Sequence, residues 1–122
     1  MGVKDIEAEL LAFANGFPGA EISEPWGHYA VKAGGKTFVF LSGEAGEDGW
    51  LGITVKLPVS GEMALSLDYV ERARYNLGKS GWVTLRQAEG DEIDIGMLKG
   101  WIEQSYRAIA TKKLVIELDT RG

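Results

Sequence analysis

Trp50-Leu51-Gly52-Ile53-Thr54-Val55-Lys56-Leu57-Pro58 alternates without a break. Leu51, Ile53, Val55 and Leu57 fall on one side of an extended chain, and Trp50, Gly52, Thr54 and Lys56 on the other. A period of two with one apolar side is the pattern of a β-strand that buries one face against a core. A single strand cannot satisfy its own backbone, so the rest of the chain must supply partners for this one.

Upstream, His28 to Lys32 and Thr37 to Leu41 are two further β-prone segments around Ala33-Gly34-Gly35-Lys36. Paired glycines reverse a hairpin at low steric cost. Downstream, Trp82 to Arg86 alternates again, with Val83 and Leu85 directed inward. The period changes to 3.6 at both ends of the chain. Val3, Ile6, Leu10, Phe13, Ala14 and Phe17 share one helical stripe that should end near Gly16, ahead of Pro18. Asp94 should cap a last helix whose stripe is Ile95, Leu98, Ile102, Tyr106 and Ile109, with Ser105 at its edge and Trp101 just outside it.

Between these elements the signals are weaker. Ala20 to Gly27, which contains Pro25, reads as an ordered loop, and Gly43 to Gly49 as a soft acidic one. Ser60 is placed to cap a short helix running to about Tyr69. Leu114 to Leu118 is β-prone, and its reading is open between an edge strand and a free tail. The order α-β-β-β-α-β(β)-α predicts an α+β fold of two layers, an antiparallel sheet with helices packed on one face. No repeat and no linker divides the chain, so residues 1–122 read as one domain.

With 122 residues, 45% of them hydrophobic, the chain can bury about two-thirds of its unfolded surface and needs no disulfide or metal to fold. It has no cysteine, which excludes disulfide frameworks, thiolate zinc sites, iron–sulfur clusters and cysteine nucleophiles. Its one histidine, His28, would have to carry any imidazole chemistry alone. A net charge of −5 gives no overall attraction to polyanions, so binding to one would have to be local. No apolar run approaches a membrane span and no apolar signal core follows the N-terminus, so a cytoplasmic protein without a membrane partner is expected.

Motifs that would declare an enzyme fail on spacing. Gly35-Lys36-Thr37 and Gly78-Lys79-Ser80 mimic the end of a phosphate loop, but Ala30 and Ala73 stand where its first glycine belongs, and both fragments lead into strands. The five serines have only His28 as a base and no Gly-x-Ser-x-Gly elbow. His28 therefore reads as structural or hydrogen-bonding. Asp91, Glu92 and Asp94 could suggest a divalent ion, but acids also stabilise a helix N-terminus, and that is the favoured reading. No cofactor is expected.

Strand parity is more informative. If the apolar sides of the strands face the helices, Trp50, Thr54, Lys56, Trp82, Thr84 and Arg86 project from the other face, with His28 and Lys32 beside them. Lys32, Lys56 and Arg86 would give that face a local charge of +3 with no acid on it, and Lys36 and Lys79 lie near its turns. Aromatic rings among cations stack bases and neutralise phosphates. Two tryptophans on a sheet can equally be covered by a loop, a helix or a second subunit.

Glu24-Pro25-Trp26-Gly27-His28, Lys32 to Phe38, Lys56, Asn76 to Thr84 and Ser105-Tyr106 together resemble the MmcQ/YjbR family, from about residue 4 to residue 114. The resemblance implies an α+β fold similar to secretion-chaperone and CyaY-like architectures. It also implies a non-enzymatic protein that binds DNA through a double-wing arrangement of hairpins. The positions it singles out are Trp26, His28, Lys32, Lys36, Phe38, Lys56, Lys79, Trp82, Ser105 and Tyr106, of which Phe38 and Tyr106 are expected to pack in the core. Three functions follow as expectations. The first is weak, nonspecific DNA binding through Trp26, His28, Lys32, Lys36, Trp50, Lys56, Lys79, Trp82 and Arg86. The second is a protein partner or homodimer anchored by Trp50 and Trp82. The third is a small-ligand pocket around Trp26, His28, Lys56 and Trp82.

Overall fold

In the computed structural model, which describes residues 2–24, 29–41, 49–73, 80–88 and 90–121, the decisive stretch is the strand β4. In chain order the elements are α1 (Val3–Asn15), β1 (Ala20–Ser23), β2 (Tyr29–Ala33), β3 (Lys36–Leu41), β4 (Trp50–Lys56), α2 (Gly61–Leu65), β5 (Val70–Arg72), β6 (Trp82–Ala88), α3 (Ile95–Ile109) and α4 (Lys112–Thr120). The six strands form one sheet in the order β1-β2-β3-β4-β6-β5, with every described pair antiparallel. The protein is therefore α+β, as the order of sequence patterns requires.

Alternation in β4 becomes burial: Leu51, Ile53 and Val55 are at most 1% exposed. Their cross-strand partners Val39, Leu41, Val83 and Leu85 share that face, which packs against α1 and α3. The β2–β3 hairpin turns on Gly34 and Gly35, whose φ values of 62° and 83° match a turn with two left-handed central residues. A bulge follows between Val31 and Lys32, where Val31 pairs with Val39 but Lys32 with Thr37. Phe38 is the extra residue. Its ring enters the core edge-on to Tyr106 and Phe17, and both Phe38 and Tyr106 are fully buried, as expected.

Four segments differ from their sequence readings. Ala20–Ser23, expected as loop, is the edge strand β1, held by pairing with β2; Glu21 and Ile22 remain exposed, so no burial pattern marks it. Val70–Arg72 is a second edge strand of three residues, too short to show alternation. The helix expected to reach Tyr69 ends at Leu65, and the Ser60 hydroxyl does not cap it: that hydroxyl instead accepts a hydrogen bond from Gln104 Nε2 at 2.9 Å. Leu114 to Leu118, β-prone and read as edge strand or tail, lies within helix α4, because Thr111 caps its first turn and the Arg121 guanidinium donates to Gly16 O at its end. Trp101, placed outside the stripe of α3, is 4% exposed and joins the core.

One turn of α3 fixes four parts of the chain. The Gln104 carbonyl oxygen accepts from the amides of Val59 and Ser60 ahead of α2. Ser105 bonds strands β3 and β4, the Tyr106 hydroxyl donates to Pro18 O at 2.7 Å, and Arg107 reaches Asp119 on α4 at 2.8 Å. Asp94 caps this helix as expected, its carboxylate accepting from the Met97 amide at 2.9 Å.

Candidate functional site

Cross-strand pairing determines which side chains share the face turned away from α1 and α3. Ala30 stands opposite Phe40, Phe40 opposite Thr54, and Thr54 opposite Thr84; Lys56 pairs with Trp82, Gly52 with Arg86 and Trp50 with Ala88. At the centre the hydroxyls of Thr54 and Thr84 bond each other at 2.9 Å. Trp50 and Arg86 lie at one end, with the guanidinium carbon 5.5 Å from the indole centroid, and Trp50 is 42% exposed. A cation over an indole face is held by the ring quadrupole and, at an exposed site, is worth about 0.5–1 kcal/mol.

The other end differs from the sequence expectation. Trp82 has the predicted parity but is only 6% exposed, its ring 5.8 Å from that of Phe40. It serves as packing, which removes it as a stacking surface or an exposed anchor. Lys56 beside it is half-buried, and Lys32 on β2 is exposed. Lys36 pairs with Ala33, a core residue, so at the end of the hairpin it takes the helix-side parity rather than joining this face. Trp26, His28 and Lys79 lie outside the described residues, and with them most of the lining expected for a small-ligand pocket.

Edge strands missed in the sequence also change the charge of the face. Glu21 on β1 stands opposite Lys32, and Glu71 on β5 opposite Thr84. The expectation of three cations and no acid is thus corrected: on the paired strands Lys32, Lys56 and Arg86 share the face with two carboxylates. Only hairpin and edge pairing could have revealed this, because neither strand has a period to read. Next to Trp50 a shallow groove of about 420 Å³ is lined by Asp68, Tyr69, Glu71, Arg86 and Asp91, among others. That end of the face is therefore acidic around its one guanidinium.

Among the described residues no group of three acidic, histidine or cysteine side chains is arranged to hold a metal ion. Asp94 acts as a helix cap and Asp91 Oδ2 accepts from the Ala88 amide at 2.8 Å, the stabilising role read from the sequence. The Gly35-Lys36-Thr37 fragment leads into β3, not a helix, so it makes no phosphate loop. Among the described residues no helix is long and apolar enough to cross a membrane.

An antiparallel six-stranded sheet backed by helices, with an aromatic–cation pair on its other face, defines the class. The YjbR family model matches residues 15–108, and the chain belongs to that family. Two solved structures share the fold. The crystal structure of Deinococcus radiodurans protein DR2400, with the family-model domain DUF419, superposes with a TM-score of 0.70 at 18% identity, covering 92% of this chain and 86% of that one. The crystal structure of the Pseudomonas syringae protein PsR293, a Northeast Structural Genomics Consortium target, gives a TM-score of 0.62 at 16% identity, covering 83% of this chain and 96% of that one. No curated protein matches.

Proposed function

We propose that this YjbR-family protein is a non-enzymatic binder that holds nucleic acid weakly, without sequence preference, on the sheet face carrying Lys32, Lys56, Trp50 and Arg86. The observation that carries the reading is the exposed Trp50 ring with the Arg86 guanidinium 5.5 Å from its centroid. Such a pair offers a π-surface for a base beside a donor for a phosphate. Lys56 sits four residues from Gly52, the cross-strand partner of Arg86, or about 13 Å along the strand, a reach of two or three nucleotides. With Trp82 buried, one stacking position is left. Single strands, whose bases are free to stack, are favoured over duplex.

The test is fluorescence anisotropy of labelled single- and double-stranded DNA at two salt concentrations, with wild type and the Lys56→Ala/Arg86→Ala double variant. Binding is expected to weaken with salt, by a log–log slope of about −0.7 for each phosphate neutralised on a single strand, and to be lost in the double variant. Binding that ignores salt, or survives in the double variant, overturns the reading.

A second reading rests on the groove beside Trp50, where Asp68, Glu71 and Asp91 repel phosphate and suit a basic protein surface. Trp50 would then anchor a partner or a second copy of the chain. A concentration-independent monomer in sedimentation, with Trp50 fluorescence unchanged across the series, excludes the second copy.

A further inference from the structure

At the end of the sheet away from the hairpin turn, β6 passes into the loop that leads to α3. Gln87, one residue before the end of β6, has the helix-side parity of its partner Leu51 and is only 3% exposed. Its Nε2 donates to the backbone oxygen of Glu92 at 3.1 Å, but among the described residues its Oε1 is buried with no hydrogen-bond partner. A buried acceptor left without a donor costs about 1–3 kcal/mol, and native proteins leave few of them. This one lines an open cleft of about 820 Å³, together with Tyr69, Ile93, Ile95 and the acidic Asp91, Glu92 and Asp94.

The carboxylates are only partly engaged. Asp91 commits Oδ2 to the Ala88 amide and Asp94 commits Oδ1 to the Met97 amide, so each keeps a second oxygen, while the Glu92 side chain is exposed. Three negative charges outweigh the partial positive charge, roughly half a unit, at the start of α3. No metal-chelating group is formed among the described residues, so the cleft lacks the convergent oxygens of an ion site. What it does present is an amide oxygen that needs a donor, surrounding negative charge, and the apolar sides of Tyr69, Ile93 and Ile95.

We infer that this cleft binds a primary alkylammonium group, with an N–H donated to Gln87 Oε1, the charge balanced by Asp91 and Glu92, and the alkyl chain lying against Tyr69 and Ile95. A free diamine and a lysine side chain share this chemistry. The site uses none of the cations of the proposed nucleic-acid face, and its success or failure is independent of that reading.

The test is a titration followed through the ¹⁵N-labelled side-chain amide of Gln87 and the backbone amides of residues 90–96. The probes are 1,4-diaminobutane, its fully methylated bis-quaternary analogue, and an N-acetylated lysine amide. Saturable shifts are expected with the N–H-bearing probes, and binding weaker by about tenfold or more with the quaternary analogue, which has the same charge but no donor. The tighter of diamine and lysine amide identifies the source. Gln87→Met, which keeps the length and removes the acceptor, should abolish the preference for N–H donors, and Glu92→Gln, at an exposed position, should weaken all three probes. If Gln87→Met fails to fold, the quaternary comparison and Glu92→Gln carry the decision. Equal binding of the primary and quaternary amines, or no shift at about 10 mM probe, overturns the inference.

Discussion

The backbone amide of Lys56 donates not to the neighbouring strand but to the hydroxyl of Ser105 on α3, at 2.9 Å, and the same hydroxyl donates to Phe38 O. Val39 pairs with Val55, so Phe38 and Lys56 are where the β3–β4 ladder would continue if the bulge did not displace Phe38. The hydroxyl replaces the missing ladder bond with a relay through a helix. Ser105→Ala would leave a buried donor and acceptor both unpaired, at a cost of about 2–4 kcal/mol. Hydrogen exchange at the Lys56 amide should accelerate more than at Val55. Unchanged exchange at Lys56 would show that the strands close on each other without the serine.

Trp50 and Trp82 share a sheet face and should respond oppositely to truncation. Trp82→Ala removes a buried ring packed on Phe40 and should cost about 3–5 kcal/mol in a denaturant titration. Trp50→Ala removes an exposed ring and its contact with Arg86, so stability should fall by no more than about 1 kcal/mol. DNA affinity should be lost in the Trp50 variant while its fold is kept. Equal destabilisation by the two would mean that Trp50 is also structural.

Burial raises the Tyr106 phenol above its usual pKa, the nearby Glu117 charge adds to the rise, and Arg121 and Arg107 oppose it. The folded pKa exceeds the unfolded one, so the contribution of the neutral phenol is complete below about pH 10 and is lost as pH climbs through the folded value. Tyr106→Phe gives up the bond to Pro18 O and should cost about 1 kcal/mol at neutral pH. Above about pH 10 the wild type should lose stability faster than the variant, closing the gap. A difference that stays constant to pH 11 would exclude the phenol as the titrating group.

At Gly19 φ is +72°, and a Cβ built there would lie 2.9 Å from Leu114 Cδ2. Gly19→Ala therefore combines a left-handed backbone with a collision against α4, and should cost about 1–3 kcal/mol. Adding Leu114→Ala relieves the collision alone. The double variant should thus be less destabilised than the two single costs added together. Simple additivity would mean that α4 shifts freely to make room.

How far these features could be read in advance follows from what each kind of pattern records. β4, β6, α1 and α3 were legible because each buries one face, and burial writes a period into the residues: Leu51, Ile53 and Val55, or Leu98, Ile102 and Tyr106. β1 and β5 were not, because edge strands are held by backbone pairing and leave Glu21, Ile22, Glu71 and Arg72 in solvent. That omission concealed the acids on the candidate face. α4 was misjudged because the β-branched Val115 and Ile116 argue for a strand locally, while the cap at Thr111 and the contact of Leu114 with Gly19 are tertiary facts. Parity placed Trp50, Lys56 and Arg86 correctly and also placed Trp82, but it reports direction and not depth. The partner that buries Trp82, Phe40, lies two strands away.

Gln104 to Arg107 span about one helical turn, so their side chains leave α3 in four directions roughly 100° apart. Each direction ends on a different segment: the start of α2, the β3–β4 seam, the turn before β1, and α4. A rotation of α3 by a single residue would release all four at once, leaving no intermediate setting in which some are kept. This turn works like the wards of a key, and its register, more than the strength of any one bond, makes the ends and the middle of the chain fold as a unit.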